Sequence, residues 1–226
     1  MSYARMLVTM APLRTAKRLK VLPSLMAGVF FASYSIFNPV VNPGEVLFQD
    51  DFSRSDSGWD RYADDTYTAD YVDGGYRIQV QATDMLVWSL PQVDFEDVLI
   101  RVEGRYFSGP IDNVYGVICR YLDPENFYFF LISSDGYAGI GRYASGEKEL
   151  LNHETLLPTD TLGPIDEHNL IQAACVGKTL TLWVNGEVVA EATTQDTWHG
   201  DVGLIVGSYE QGGVEIQFDN FSTLKP

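Results

Sequence analysis

Cysteine and histidine are scarce in this sequence. Of its 226 residues, only two are cysteines and three are histidines. Neither Cys119 nor Cys175 has a second cysteine or a histidine at the spacing that zinc sites use. The histidines lie in predicted loops or at strand ends, and no Ser–His–Asp pattern accompanies them. The sequence therefore supports neither zinc chemistry nor a histidine-activated nucleophile.

Basic residues are also in short supply, and they are unevenly placed. The chain has 15 lysines and arginines against 31 aspartates and glutamates, a net charge of −16. The 182 residues from Glu45 onwards carry ten basic and 31 acidic residues, a net charge of −21. A surface this acidic repels phosphate backbones and anionic lipid, so we expect no nucleic-acid partner. Neutral sugars, divalent cations or simple solubility are compatible with it.

The N-terminal part differs from the rest because it has no acidic residue before Glu45. Four basic residues between Arg14 and Lys20 precede the uncharged stretch Val21–Val41. A basic region followed by an apolar region is the pattern of an export signal. Its most apolar part, Leu25–Phe37, is short for a membrane span, so a cleaved signal and an uncleaved anchor both remain open.

We therefore predict two parts. Residues 1–43 form a basic region, a signal-peptide or membrane-anchor helix and a linker, and residues 44–226 form the domain. The domain is secreted or held at the outer face of the cytoplasmic membrane, and it contacts membrane only through the N-terminal segment.

The two cysteines each lie in a strand-like run, around Tyr115–Tyr121 and Leu170–Val176. In an exported chain, a small even number of cysteines favours a disulfide. Two separate buried thiols are the alternative.

Past residue 45, short alternating or aromatic-rich runs are separated by Gly, Asn, Asp and Pro, which predicts an all-β sandwich or barrel. The predicted strands are 46–52, 75–81, 85–90, 96–106, 113–121, 126–134, 137–143, 169–176, 179–185, 187–193, 202–208 and 213–223. Asn185-Gly186 marks a two-residue hairpin, and Asp135-Gly136 marks another. The strands 113–121, 126–134 and 137–143 are therefore predicted to form a meander. Residues 149–167 are predicted to be a long loop.

Several motifs together resemble one superfamily. They are Phe48-Gln-Asp-Asp-Phe52, the Asn113 to Arg120 strand, Asn126-Phe-Tyr128, Val184-Asn-Gly186, Gly200-Asp-Val-Gly-Leu204 and Phe218-Asp-Asn-Phe221. Their order is similar to the concanavalin A-like lectin/glucanase superfamily, near the 3-keto-disaccharide hydrolase group. It is also similar to exported proteins of Chloroflexi-type bacteria. The resemblance covers residues 46–224 and implies a jelly-roll β-sandwich of about twelve strands.

The resemblance also implies a carbohydrate-binding face. Arg120 matches the strand arginine that, in the family, points into the concave sheet. Aromatic rings stack on sugars and polar groups orient them, so neighbouring residues of both kinds are candidates. The full set of carbohydrate-binding candidates is Asn113, Tyr115, Arg120, Tyr128, Tyr137, Arg142 and Trp183.

A structural calcium ion is the one cofactor that the sequence suggests. Asp50 and Asp51 end the first strand and Asp219 lies in the last one. In jelly rolls of the superfamily the terminal strands often pair, which would gather these oxygen ligands. The alternative is that the three aspartates cap strand ends by accepting hydrogen bonds from nearby backbone N–H groups.

A catalytic carboxylate pair is not evident. Glycosidases need two carboxylates across the scissile bond, and the laminarinase-type E-x-D-x-x-E string is absent. We therefore predict a non-catalytic carbohydrate-binding or surface-interaction module whose partner is a glycan or cell-envelope polysaccharide. The alternatives are a glycoside hydrolase-like enzyme acting on (3-keto-)disaccharides and a purely structural adhesion domain.

Overall fold

The computed structural model of the protein describes residues 44–226 together with Met6–Leu7. The predicted signal or anchor helix, its cleavage region and the linker up to Pro43 lie outside the described residues. Met6–Leu7 form a two-residue strand. No helix in the described part has the length and apolar content needed to cross a membrane.

The described residues form an all-β structure. In chain order the strands are β1 (Met6–Leu7), β2 (Val46–Asp50), β3 (Tyr62–Ala63), β4 (Tyr67–Val72), β5 (Gly75–Val80), β6 (Met85–Ser89), β7 (Val98–Ser108), β8 (Asn113–Asp123), β9 (Asn126–Ser133), β10 (Tyr137–Ala144), β11 (Glu147–Leu150), β12 (Leu157–Pro158), β13 (Asn169–Val176), β14 (Thr179–Val184), β15 (Glu187–Thr193), β16 (Asp201–Ser208) and β17 (Val214–Leu224).

The strands form two antiparallel sheets. The eight-stranded sheet has the order β1-β6-β16-β8-β9-β10-β11, and β12 pairs with β10. The nine-stranded sheet has the order β15-β14-β13-β7-β17-β5-β4-β3, and β2 pairs with β17. The long strand β17 thus pairs with the first strand of the domain, as the resemblance implied.

The predicted meander and the Asn185-Gly186 hairpin are confirmed, whereas the turn at Asp135-Gly136 has three residues instead of two, because Ser133 pairs with Tyr137. β8, β9 and β10 are consecutive neighbours in the eight-stranded sheet. Asn185 and Gly186 have φ angles of 51° and 88°, so both adopt the left-handed conformation that a two-residue turn of this type requires. The sequence analysis missed the strands β1, β3, β4, β11 and β12. Of these, β11 overlaps the start of the predicted loop 149–167, and β12 lies within that loop.

The main core lies between the sheets. Alternate residues of each strand point inward, such as Tyr115, Val117 and Cys119 on β8 and Ile100 and Val102 on β7, and all are at most 1% exposed. Cys119 and Cys175 are bonded, and their disulfide joins β8 of one sheet to β13 of the other.

A second apolar cluster covers the opposite face of the eight-stranded sheet. We call this surface the outer apolar face. It consists of Leu86, Trp88, Leu90, Val114, Ile118, Phe127, Phe129, Leu131, Tyr143 and Ile205. Strand β9 shows why it exists, because the run from Phe127 to Ile132 is apolar at every position and supplies side chains to both faces.

Candidate binding surfaces on the two sheets

Arg120 is a buried structural residue, so the prediction that it contacts a ligand is wrong. It lies in a β-bulge of β8 with φ 50°, which changes the alternation that the sequence implied. Its side chain is fully buried and donates to the backbone carbonyls of Glu96, Gly177 and Asp196. It also forms an ion pair with Asp97 at 3.1 Å. The guanidinium therefore links three loops by hydrogen bonds, and none of its surface is exposed for contact with a sugar.

Three neighbouring predictions fail for a related reason. Asn113, Tyr115 and Tyr128 are at most 1% exposed, so none of them can touch a ligand. The Tyr115 hydroxyl faces the Asn169 amide at 3.4 Å, and the Tyr128 hydroxyl bonds to Thr194 inside the core. Asn113 donates to the Pro110 carbonyl at 2.7 Å. The polar atoms of these three residues are satisfied by hydrogen-bond partners in the interior, so the residues have a structural role.

The other three predicted carbohydrate residues reach the surface but do not lie together. Arg142 of β10 is partly exposed and pairs with Glu149 at 2.6 Å and Asp196 at 2.8 Å. Tyr137 begins the same strand. Trp183 lies on the nine-stranded sheet, opposite to the inward side chains of β14. The seven predicted residues therefore do not form one site.

A polar cleft lies on the outer face of the nine-stranded sheet, with a volume of about 620 Å³. We call it the polar cleft. It is lined by Gln49, Asp50, Asp51, Arg54, Ser57, Arg101, Glu103, Asn220, Phe221 and Ser222. Strands β2, β7 and β17 and the loop after β2 supply these residues, and most of them carry hydroxyl, amide, carboxylate or guanidinium groups that can bond to a polar ligand.

A row of outward-facing side chains connects the polar cleft to Trp183. Strand register places Trp183 opposite Gln172, Gln172 opposite Arg101, Arg101 opposite Ser222, and Ser222 opposite Gln49. We call these five residues the polar row. Because neighbouring strands are about 4.8 Å apart, four intervals span roughly 19 Å. The row therefore ends at the part-exposed Trp183 ring on one side and in the cleft on the other.

The three aspartates predicted to bind calcium lie at or near the polar cleft. Asp50 stands opposite Phe221, as the predicted pairing of the terminal strands required. However, Asp50 accepts a hydrogen bond from Phe52 N, Asp51 from Ser53 N and Asp219 from Asn220 N. Within residues 44–226, no three His, Cys, Asp or Glu side chains form a group that could hold a metal ion. The calcium site stays a prediction.

Two of these carboxyl groups differ in acidity. Hydrogen bonds from the Ser53 hydroxyl and amide lower the pKa of Asp51. Partial burial raises the pKa of Asp219, and the nearby carboxylate of Glu103, its cross-strand neighbour, raises it further. One carboxyl here is therefore held ionised, whereas its neighbour retains a proton more readily.

A second pair of acidic residues lies at one end of the eight-stranded sheet. Burial raises the pKa of Asp201 to about 6, although its Oδ1 accepts hydrogen bonds from Val93 N and Val202 N. Burial also raises the pKa of Asp60, and the like charge of Asp60 raises the pKa of Asp201 further. Desolvation dominates at both residues, so each carboxylate lowers the stability of the fold when it is ionised.

Sequence reasoning missed the polar row, although a signal for it was present. On β7, Arg101, Glu103 and Arg105 alternate with Ile100, Val102 and Gly104. That alternation indicates a sheet with one solvent-exposed face. What the sequence could not give was strand order, because Gln172 and Ser222 come from distant parts of the chain.

No family model and no curated protein matches the chain. Among solved structures, carbohydrate-binding module CBM66 from Bacillus subtilis aligns with a TM-score of 0.57 at 13% identity, covering 75% of this chain and 96% of that one. A β-glucanase from Bacillus licheniformis aligns with a TM-score of 0.59 at 14% identity, covering 81% and 99%. The fold is a jelly-roll β-sandwich.

A third jelly roll, a Bacillus subtilis protein with a galectin-like fold, aligns with a TM-score of 0.60 at 9% identity, covering 81% of this chain and 97% of that one. The expected jelly-roll fold is thus confirmed. At such identities the likeness concerns the fold alone, since a jelly roll carries many functions. The closer resemblance to 3-keto-disaccharide hydrolases and to Chloroflexi-type proteins stays a prediction.

Proposed function

We propose that this chain is a non-catalytic carbohydrate-binding module that works outside the cytoplasm, and that the polar row with its cleft is the glycan site. The observation that carries the proposal is the row itself: a tryptophan, an amide, a guanidinium, a hydroxyl and a second amide in line across five strands.

The chemistry of the row suits a neutral oligosaccharide. The Arg101 guanidinium donates hydrogen bonds, and the Gln49 and Gln172 amides both donate and accept, as sugar hydroxyls require. The Trp183 ring offers an apolar face for the C–H side of a pyranose. A span of roughly 19 Å favours several linked sugars over a single one. The acidic surface explains why the partner would be neutral rather than anionic.

The fold relatives support the carbohydrate class. One is a carbohydrate-binding module and another is a β-glucanase by name. We extend this to the present chain as part of the proposal, because the row provides hydroxyl-binding groups on a jelly-roll face. The export-type N-terminal sequence supports a place outside the cytoplasm, where polysaccharides are found.

One observation favours a second candidate, a glycoside hydrolase-like enzyme acting on (3-keto-)disaccharides. Glu103 and Asp219 are cross-strand neighbours beside the polar cleft, and Asp219 has a raised pKa. Two carboxyl groups with different acidities are what acid–base catalysis of glycoside cleavage needs. Glu103, however, already accepts a hydrogen bond from the Asn220 amide at 3.2 Å, which engages one oxygen of the pair.

A glycan array probed with the full chain, with and without a calcium chelator, tests the first candidate. We expect binding to neutral β-linked oligosaccharides, and a loss of binding or of thermal stability with chelator would support the predicted calcium ion. No binding in either condition would leave a purely structural adhesion domain. Release of products from disaccharides or 3-keto-disaccharides, lost in Asp219→Asn, would favour the enzyme.

A further inference from the structure

The turn between β14 and β15 contains the only Asn-Gly pair of the sequence, Asn185-Gly186. An asparagine before a glycine is prone to deamidation, because glycine has no Cβ to shield its backbone nitrogen. In an unfolded chain the Gly186 nitrogen can attack Cγ of Asn185, which closes a cyclic imide and releases ammonia. Water then opens the imide at either carbonyl and leaves aspartate or isoaspartate. The reaction therefore needs only water besides the chain itself.

In the folded protein three hydrogen bonds hold the side chain of Asn185. Its Nδ2 donates to the carbonyl oxygen of Thr161 at 2.8 Å and to Oδ1 of Asn169 at 2.9 Å. Its Oδ1 accepts a hydrogen bond from Leu170 N at 2.9 Å. The residue is exposed, so water reaches it. Because the hydrogen bonds fix the direction of the amide, Cγ turns towards the Gly186 nitrogen only after they break.

The same contacts hold a loop against the hairpin. Residues 159–168 connect β12 to β13, and we call them the docked loop. The loop reaches the hairpin at Thr161, whose carbonyl oxygen accepts from Asn185. Asn169 follows the loop and is buried, and its Oδ1 accepts hydrogen bonds from both Gly163 N and Asn185 Nδ2. Opening of the docked loop therefore frees the Asn185 side chain, and loss of the Asn185 amide weakens the docking.

We propose that Asn185 is a site of spontaneous deamidation whose rate is set by the docked loop, and that the reaction undocks this loop permanently. An aspartate carboxylate has no N–H group, so both hydrogen bonds of Nδ2 are lost and the carboxylate faces two acceptor oxygens. Isoaspartate also adds a methylene to the backbone of a two-residue turn, which shifts the register of β14 and β15. The site is separate from the proposed glycan site, and either proposal can hold without the other.

Peptide mass spectrometry of the full chain, incubated in mildly alkaline buffer, tests the first part of the proposal. The deamidated fraction at Asn185 is followed over time in the native protein and in guanidinium chloride. We expect deamidation in the unfolded chain. In the native protein it should be on the order of a hundredfold slower, the factor that three side-chain hydrogen bonds correspond to.

Variants then test the control by the docked loop. Asn169→Ala removes one acceptor of the Asn185 amide and should speed deamidation of the native protein by about fivefold, the factor for one hydrogen bond. Asn126→Ala is the matched control, because Asn126 bonds to Asp123 and Ser145 instead. It should leave the rate at Asn185 unchanged.

Hydrogen exchange tests the second part of the proposal. Asn185→Asp reproduces one reaction product and should speed amide exchange in the docked loop, because the loop opens more often. Asn126→Asp makes the same change of charge in the turn between β8 and β9 and should leave exchange in the docked loop unchanged.

Several results would overturn the proposal. Equal rates at Asn185 in the native and unfolded chain, or no deamidation in guanidinium chloride, would show that the fold does not control the reaction. The same holds for an unchanged rate in Asn169→Ala, or an equal acceleration in Asn126→Ala. Unchanged exchange in Asn185→Asp would remove the undocking. If Asn169→Ala does not fold, the native and unfolded rates of the parent chain still decide.

Discussion

Single residues determine how the loops at one end of the sandwich are held. The Arg120 guanidinium joins the carbonyls of Glu96, Gly177 and Asp196 and the Asp97 carboxylate. A buried cation with this many partners stabilises the loops only while all of them are present. The family resemblance pointed to Arg120 as a ligand contact, and the bulge that turns it inward could not be read from the alternation of residues.

Arg120→Ala should lower the free energy of unfolding by about 3–5 kcal/mol, because it leaves a buried cavity and several carbonyls without a donor. Arg142→Ala is the matched control and should cost about 1 kcal/mol or less, since its ion pairs are partly exposed. Urea denaturation of both variants measures this difference. Equal effects of the two substitutions would contradict the structural role of Arg120.

Asp201 should make stability depend on pH. Its pKa is about 6 in the folded protein and about 3.9 in the unfolded chain, so the folded state binds the proton more tightly. The stability that this group contributes is therefore complete below about pH 4 and is lost as the pH rises through 6.

Asp201→Asn should accordingly gain on the order of 1 kcal/mol over the parent chain at pH 7.5 and nothing at pH 4, with water screening the part-buried carboxyl. Urea denaturation at both pH values checks this, with the exposed Asp73→Asn as control. A variant that is less stable at pH 7.5 would show that the carboxylate is needed in its charged form.

Among the elements, the disulfide is the main covalent link between the sheets. Cys119 of β8 and Cys175 of β13 are 56 residues apart. Closing a loop of that length in the unfolded chain corresponds to about 4 kcal/mol in the loop-entropy model. The Cys119→Ala, Cys175→Ala double variant should therefore unfold at clearly lower urea concentration than the parent chain. A reducing agent should lower the midpoint of the parent chain and leave the double variant unchanged.

Elements with strong local signals could be predicted from the sequence, and elements without them could not. Asn185-Gly186 fixes the β14–β15 hairpin through the turn conformation that these residues favour. Strand β4 was missed because Thr68, Asp70 and other polar residues occupy its outward positions near the edge of a sheet. A strand next to a sheet edge with one solvent-exposed face resembles a loop when it is judged by hydrophobicity alone.

For the whole molecule, sequence patterns predict two sheets and the disulfide but not the use of the two outer faces. The candidate site residues were taken mainly from β8, β9 and β10. Most side chains of these strands are buried in the core or in the outer apolar face. The polar row depends on strand order, which joins β14, β13, β7, β17 and β2. Such long-range pairing leaves no signal within any single strand.

The central claim, glycan binding along the polar row, is tested most directly by glycan arrays of two aromatic variants of the full chain. Trp183 lies in the row, whereas Phe107 is an exposed aromatic ring that packs against Arg77. We predict that Trp183→Ala loses the array signal by about fivefold or more, because stacking on a sugar contributes roughly 1 kcal/mol or more. Phe107→Ala should keep the signal. An unchanged signal in Trp183→Ala, or an equal loss in Phe107→Ala, would contradict the account.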